Sequence, residues 1–270
     1  MNWNEIEKII QEIVSDIKKK CIIKNVAIKD DIFRILEENC TVIYYPLDSE
    51  KNRGFHIKRI VKDKLEEFVY INTAKPMAEQ IFTAAHEFGH IFEVSTKVWE
   101  QIGYDGKPTE DQEEEITNRF AAELLMPYDA FKASFFSGMK EVGIKSGNVN
   151  LDDLVRVVVM QMNAFMVPYE AVRKRLVETK LMQPEAAEFL VSKEREILKL
   201  VTILTKDKNT YLVNRTGVKT ISGVRTLIEQ VERQDKADIY MLKKLKKDLD
   251  IEDISMEEKC EILIEENGDE

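Results

Sequence analysis

The sequence predicts a mainly helical α+β fold. A small N-terminal sheet packs on a helix carrying two histidines and on a second, carboxylate-rich helix, and a helical C-terminal region follows. Three observations predict it. Apolar residues recur at helical spacing over most of the chain, β-branched and aromatic runs cluster between residues 41 and 72, and proline, glycine and polar turns mark the breaks between segments.

Taken in order, residues 3 to about 39 read as two helices, the first carrying Ile6, Ile9, Ile10, Ile13, Val14 and Ile17 at helical spacing, with Asn25 or Asp30 at the break before the second. Thr41–Tyr45 reads as a strand ended by Pro46, and 54–61 and 67–72 as two more. Pro76 opens a helix to about Phe92, capped by Thr73 or Asn72. Residues 95–108 read as a loop. Thr109 then starts a strong helix whose first-turn carboxylates suit the helix dipole, and Met126-Pro127 ends it. A short helix spans 128–136, and a loop 137–150. Residues 151–179 form two helices broken at Val167-Pro168, and another begins at Pro184. Thr210–Val213 reads as a strand, 222–233 and 236–248 as helices, and the chain ends in an acidic tail. The domain boundary is expected near 180–184, giving a first domain of 1–182, with a helical subdomain at 151–182, and an α/β region at 183–270.

With 270 residues, 44% apolar and 33% charged, the chain has the composition of a soluble globular protein. A formal charge of −10 opposes phosphate-backbone binding, so direct nucleic-acid binding is not expected. No apolar run reaches the ~18 residues of a membrane span, and the N-terminus lacks a basic start followed by an apolar stretch. A cytoplasmic protein without a membrane partner is expected, with Cys21, Cys40 and Cys260 as reduced thiols.

Of three histidines, two lie four residues apart in His86-Glu87-Phe88-Gly89-His90. One helical turn puts both imidazoles on one face, where they can reach a single ion, and Glu87 sits ~100° round, placed to take a proton from a water activated there. Ile81, Ala85, Phe88 and Phe92 form an apolar stripe on the opposite side, so the helix can bury its back while its ligand face looks into a cleft. A catalytic zinc needs a third protein ligand. A third histidine in the same segment is ruled out, since Glu93 and Thr96 occupy the positions it requires. The carboxylates of the helix at 110–126 are the alternative. Glu114 shares a face with Asn118, which could orient a ligand, and Glu110 shares that face one turn earlier. Glu110, Asp111, Glu113 and Glu115 also fit a solvated helix start.

Phe82-Thr83-Ala84-Ala85-His86-Glu87-Phe88-Gly89-His90, followed by Glu114-Glu-Ile-Thr-Asn118-Arg-Phe120-Ala121-Ala122-Glu-Leu-Leu125-Met-Pro127, resembles the ImmA/IrrE family of bacterial and phage metallopeptidases over residues 40–180. Two separate motifs occur in the right order. Thr117 stands where alanine is usual and Phe88 where leucine is usual. The resemblance implies a gluzincin-like zincin site holding one Zn2+ per chain on His86, His90 and Glu114, with Glu87 as catalytic base. It also implies a protein substrate, a helix-turn-helix transcriptional repressor, whose cleavage switches on a stress response or a mobile element. Residues 163–176 resemble the helical element that follows the protease core, and 183–270 would sense a signal or bind the partner.

His56, Tyr104 and Tyr128 are candidate oxyanion donors by residue type. Two rival readings use the same chain. One is a regulatory protein-binding module on a zincin scaffold; the other is a DNA-binding helix-turn-helix at 151–180 with Arg173, Lys174 and Arg175 on phosphates. The Lys243-Lys244 and Lys246-Lys247 pairs read as the solvated side of an amphipathic helix.

Overall fold

The computed structural model describes residues 2–61, 63–144, 150–206, 209–234 and 238–251. The acidic tail and Cys260 lie outside them. The chain divides into two compact units, Met1–Val218 and Lys219–Glu270.

In the first unit, α1 (Trp3–Lys20) buries Ile6, Ile10, Ile13, Val14 and Ile17, the stripe its spacing predicts. The short α2 (Asp31–Glu37) follows and buries Ile32, Ile35 and Leu36. The strands β1 (Thr41–Tyr45), β2 (Gly54–Val61) and β3 (Lys64–Asn72) form a mixed sheet. β1 runs parallel to β3, with Thr41 opposite Phe68 and Tyr45 opposite Asn72, and β2 returns antiparallel, with Gly54 opposite Ile71. β2 therefore takes an edge of the sheet.

The helix α3 (Met77–Ile91) begins after Pro76, which stands just outside it at φ −54°. Neither Asn72 nor Thr73 caps it. The buried Asn72 side chain instead braces the preceding loops: it donates to the Leu47 and Asn52 carbonyls and accepts from the Leu47 and Ala74 amides. Ile81, Ala85, Phe88 and Phe92 all turn into the core.

A second helix, α4 (Val94–Gln101), occupies much of the stretch read as a loop. Glu93 in the left-handed conformation (φ 52°) breaks the chain from α3 and lets it restart, and Val94, Val98 and Trp99 then bury one face. Three buried side chains stabilise a helix too short to show a clear period.

The long α5 (Glu110–Leu125) opens on a capping box: Thr109 accepts from the Gln112 amide while the Gln112 side chain accepts from the Thr109 amide. It is pinned to α1 by Arg119, whose guanidinium bonds Glu7 (2.9 Å) and Glu115 (2.8 Å) and lies 4.0 Å from the Trp3 ring. α6 (Tyr128–Val142) runs beyond the predicted 136, because Gly138 serves as a close contact with the next helix rather than a break; a Cβ there would sit 3.3 Å from Met160 Sδ.

α7 (Leu151–Phe165) and α8 (Tyr169–Glu178) flank the expected break at Val167-Pro168. α8 is locked to the end of α5 by the buried Arg175, which holds Glu123, Glu178 and the Met126 carbonyl. Because Arg175 faces inward and Lys174 pairs with Glu170, the run from Arg173 to Arg175 does not present three cations to a phosphate backbone.

The segment continues through α9 (Pro184–Ser192), α10 (Glu194–Lys206) and α11 (Thr210–Val213). α11 corrects the strand expected at 210–213. Leu212 is fully buried and the Met77 amide donates to the Asn214 carbonyl, so tertiary packing overrides a short β-prone run. The second unit holds β4 (Thr220–Ile221), α12 (Val224–Arg233) and α13 (Ile239–Asp248), with a small core of Val224, Ile228 and Leu249. No helix among the described residues is long and apolar enough to cross a membrane.

Candidate metal centre

α3 and α5 pack directly against each other, and Gly89 permits their approach. A Cβ at Gly89 would lie 2.9 Å from both Thr117 Cγ2 and Phe120 Cδ1 on α5. The glycine inside the histidine motif thus brings the carboxylate helix against the histidine helix. The departure at Thr117 is absorbed within α5, its hydroxyl donating to the Glu113 carbonyl.

The consequence is a cluster. His86 Nε2 lies 3.1 Å from His90 Nε2 and 3.2 Å from Glu114 Oε2, and His90 Nε2 lies 3.4 Å from Glu114 Oε1. Among the described residues, His86, His90 and Glu114 are the one group of three such side chains able to hold a metal ion. The donor set fits zinc. Ligands at ~2.0–2.1 Å in a tetrahedron lie ~3.3 Å from each other, close to the spacing between the two histidine nitrogens and from each of them to one Glu114 oxygen. His86 Nδ1 is 3.0 Å from Asn118 Oδ1, an acceptor that can hold an Nδ1 proton and so leave Nε2 to bind an ion. Glu110, Asp111 and Glu113 are solvent-exposed, and Glu115 is engaged by Arg119.

The charges are complementary. Hydrogen bonds from both histidines hold the Glu114 carboxyl far below the usual carboxylate range, and Glu114 in turn raises His90. Glu87 lies on the same helix, only 6% exposed. Burial pushes its carboxyl up, which makes it a better proton acceptor than a solvated glutamate.

Gly54, at the start of β2, is a contributor that the sequence reading missed. A Cβ there would be 2.5 Å from Thr83 Cγ2, 2.6 Å from the Tyr70 carbonyl oxygen and 3.6 Å from Glu87 Oε1. Only glycine lets the strand cross α3 this closely; its position inside a strand was the available signal.

Of the three candidate oxyanion donors, His56 stands near the cluster, its ring centroid 6.5 Å from that of His90 and its Nε2 3.3 Å from Glu67. Tyr104 packs on Trp99, and Tyr128 lies beside Lys132 at the start of α6. Among the described residues neither has a hydrogen bond or ring contact with His86, His90 or Glu114. A cavity of about 500 Å3 adjoins the cluster, with Thr83 and Asn118 on its wall.

Residues 36–177, more than half of the chain, match the family model Peptidase_M78, described as the IrrE N-terminal-like domain. No curated protein and no solved structure matches the chain.

Proposed function

Because the chain belongs to the Peptidase_M78 (IrrE N-terminal-like) family, we propose that it is a zinc-dependent endopeptidase that cuts one protein partner. The observation that carries this reading is the convergence of His86, His90 and Glu114 beside a buried, basic Glu87.

In this reading the three clustered side chains hold the ion. A bound Zn2+ supplies Lewis acidity, polarising the scissile carbonyl and acidifying the attacking water. The remaining steps belong to the chain. Asn118 fixes the His86 ring by accepting a hydrogen bond from its Nδ1–H. Glu87 accepts the proton lost by the attacking water and delivers it to the leaving amide nitrogen as the C–N bond breaks, giving a carboxylic acid and an amine; the acid's proton then passes to the amine, leaving a carboxylate and an ammonium. The protonation state of Glu87 is thus restored at the end of each turnover. β2, at the sheet edge, can take an extended substrate as an added strand, and Gly54 keeps that strand against Glu87. His56, on β2, is the remaining side-chain donor for the developing oxyanion.

The partner in this reading is a helix-turn-helix transcriptional repressor, met in the cytoplasm. This rests on the resemblance of the two motifs to ImmA/IrrE peptidases. Residues 1–182 are taken as the peptidase domain and 183–270 as the part that senses a signal or binds the partner. The test is co-expression with a repressor encoded beside this chain, reading the repressor by intact mass. The wild type is expected to give two fragments whose masses sum to the repressor plus one water, and Glu87→Gln none. Equal cleavage by Glu87→Gln would remove Glu87 from the mechanism.

A further inference from the structure

α1 ends on a feature that stability alone does not explain. Ile22 stands in the left-handed conformation (φ 55°) just past the helix. Its amide donates to the Lys19 carbonyl (3.2 Å), and the Ile23 amide donates to the Lys18 carbonyl (2.8 Å). These two bonds make a Schellman ending, in which glycine usually takes the position of Ile22. A β-branched side chain crowds its own backbone there, so isoleucine destabilises the turn. Packing does not offset that cost, since Ile22 is 78% exposed. Four residues on, Val26 is 61% exposed as well. Backbone strain of this kind concentrates at functional positions, and here it holds an aliphatic side chain out in water.

The surroundings are basic. From Ile17 to Lys29 the chain carries Lys18, Lys19, Lys20, Lys24 and Lys29 and no acid, in a molecule whose formal charge is −10. Lys18, Lys19 and Lys24 border one shallow groove together with Ile22 and Ile23. Lys18 donates to the Val26 carbonyl (3.2 Å), which ties the loop to α1, and Lys20 lies over the Phe92 ring. Lys24 and Lys29 have no ion-pair partner among the described residues. Of the acids on either side, Asp16 pairs with Lys19, Asp31 accepts from Asn25, and Asp30 is exposed before the start of α2. Glu123, in the groove, is held by Arg175. Acids more than about 10 Å away are largely screened at ordinary salt.

Residues 17–29 contain neither arginine nor an aromatic side chain. Protein-binding hot spots are built on tryptophan, tyrosine and arginine, and lysine is depleted from them. Lysines around aliphatic tips suit an anionic lipid surface instead: the ammonium groups meet the headgroups while the tips enter the acyl boundary. Ile22 and Val26 stand out into solvent, so a soft surface can take them without a matching pocket. We propose that the connection between α1 and α2 is a peripheral docking site for an anionic bilayer, with Ile22 and Val26 entering the interface and Lys19, Lys24 and Lys29 on the headgroups. This contact needs no spanning helix, and it departs from the expectation of no membrane partner, which rests on apolar runs alone. The segment lies outside the residues 36–177 that the family model matches, and docking requires neither metal nor peptide cleavage.

The test is flotation of the full chain with phosphatidylcholine vesicles containing about 30% phosphatidylserine. Capture is expected at about 0.1 M salt and release at about 0.5 M, with no capture by pure phosphatidylcholine. Ile22→Gly should weaken capture about ten-fold, the loss of one inserted aliphatic side chain. The same variant should raise the urea midpoint, because glycine relieves the left-handed turn. A residue kept for packing would lose stability instead. Lys24→Glu, on the exposed loop, should weaken capture about ten-fold with unchanged circular dichroism. The proposal is overturned by absence of capture of the wild type, by equal capture on pure phosphatidylcholine, by undiminished capture of either variant, or by a lower urea midpoint in Ile22→Gly. Binding to poly-L-glutamate without vesicle capture would overturn it too, and would assign the patch to an acidic protein segment.

Discussion

Gly54 and Glu87 meet where β2 crosses α3: a methyl group on Gly54 would lie 3.6 Å from Glu87 Oε1 and, at 2.5 Å, would collide with Thr83 Cγ2 one turn earlier. The same methyl would press on the Tyr70 carbonyl oxygen at 2.6 Å, and a carbonyl held in a sheet cannot swing away like a flexible side chain. Gly54→Ala is therefore expected to push β2 off α3. In the proposed peptidase this lowers repressor cleavage at least ten-fold, on the general cost of misplacing reacting groups by ~1 Å, while zinc binding stays intact because no ligand sits on β2. Single-turnover cleavage beside metal content separates the two. A fully active Gly54→Ala would mean that the close approach has no functional weight.

Arg175 provides a test of the packing that ends α5. Its guanidinium satisfies Glu123, Glu178 and the Met126 carbonyl in a buried setting. Arg175→Met leaves these acceptors uncompensated and should destabilise the fold by about 3 kcal/mol, as removal of one partner of a buried pair does. Adding Glu123→Met should recover part of the loss. Urea midpoints of the wild type, the single and the double variant measure this. An unchanged midpoint for Arg175→Met would contradict the network.

Alkaline pH should weaken the folded state. Burial pushes the Cys40 thiol up to about 12 and the Tyr169 hydroxyl up to about 12. The unfolded chain loses these protons from ~8.5 and ~10 upward, whereas the folded chain keeps them. Below those values both states hold the protons and there is no penalty. As pH rises towards 12 the unfolded state gains by ionising and stability falls. Cys40→Ala should lose less stability than the wild type between about pH 8.5 and about 12 in urea titrations, the window set by the unfolded and folded values of the thiol. Parallel curves would show that Cys40 contributes nothing to the alkaline loss.

Much of this was legible in the sequence because the relevant signals are local. The apolar period of α1, the Thr109 cap and the Pro127 and Pro168 breaks each lie within a few residues, and the structure follows them. Glu114 and Asn118 could be paired on one helix face by phase, and the motif resemblance chose Glu114 over Glu110. What escaped depends on distant partners. α4 is stabilised by burial of Val94, Val98 and Trp99 rather than by any repeat, and Thr210–Val213 coils as a helix because Leu212 enters a core that a strand pattern cannot anticipate. Gly54 matters only because β2 crosses α3, a contact between segments about thirty residues apart. The cavity beside Tyr169 is assembled from helices far apart in sequence.

In the proposed metal centre His86, His90 and Glu114 act together, with Asn118 holding the His86 ring. The most direct test is zinc per chain by elemental analysis of the purified protein, beside His90→Ala, Glu114→Ala and Asn118→Ala. About one zinc is expected in the wild type, none in the two ligand variants, and affinity about ten-fold or more weaker in Asn118→Ala. A folded wild type that takes up no zinc when supplied with it, or a Glu114→Ala variant that binds as tightly as the wild type, would contradict this metal centre.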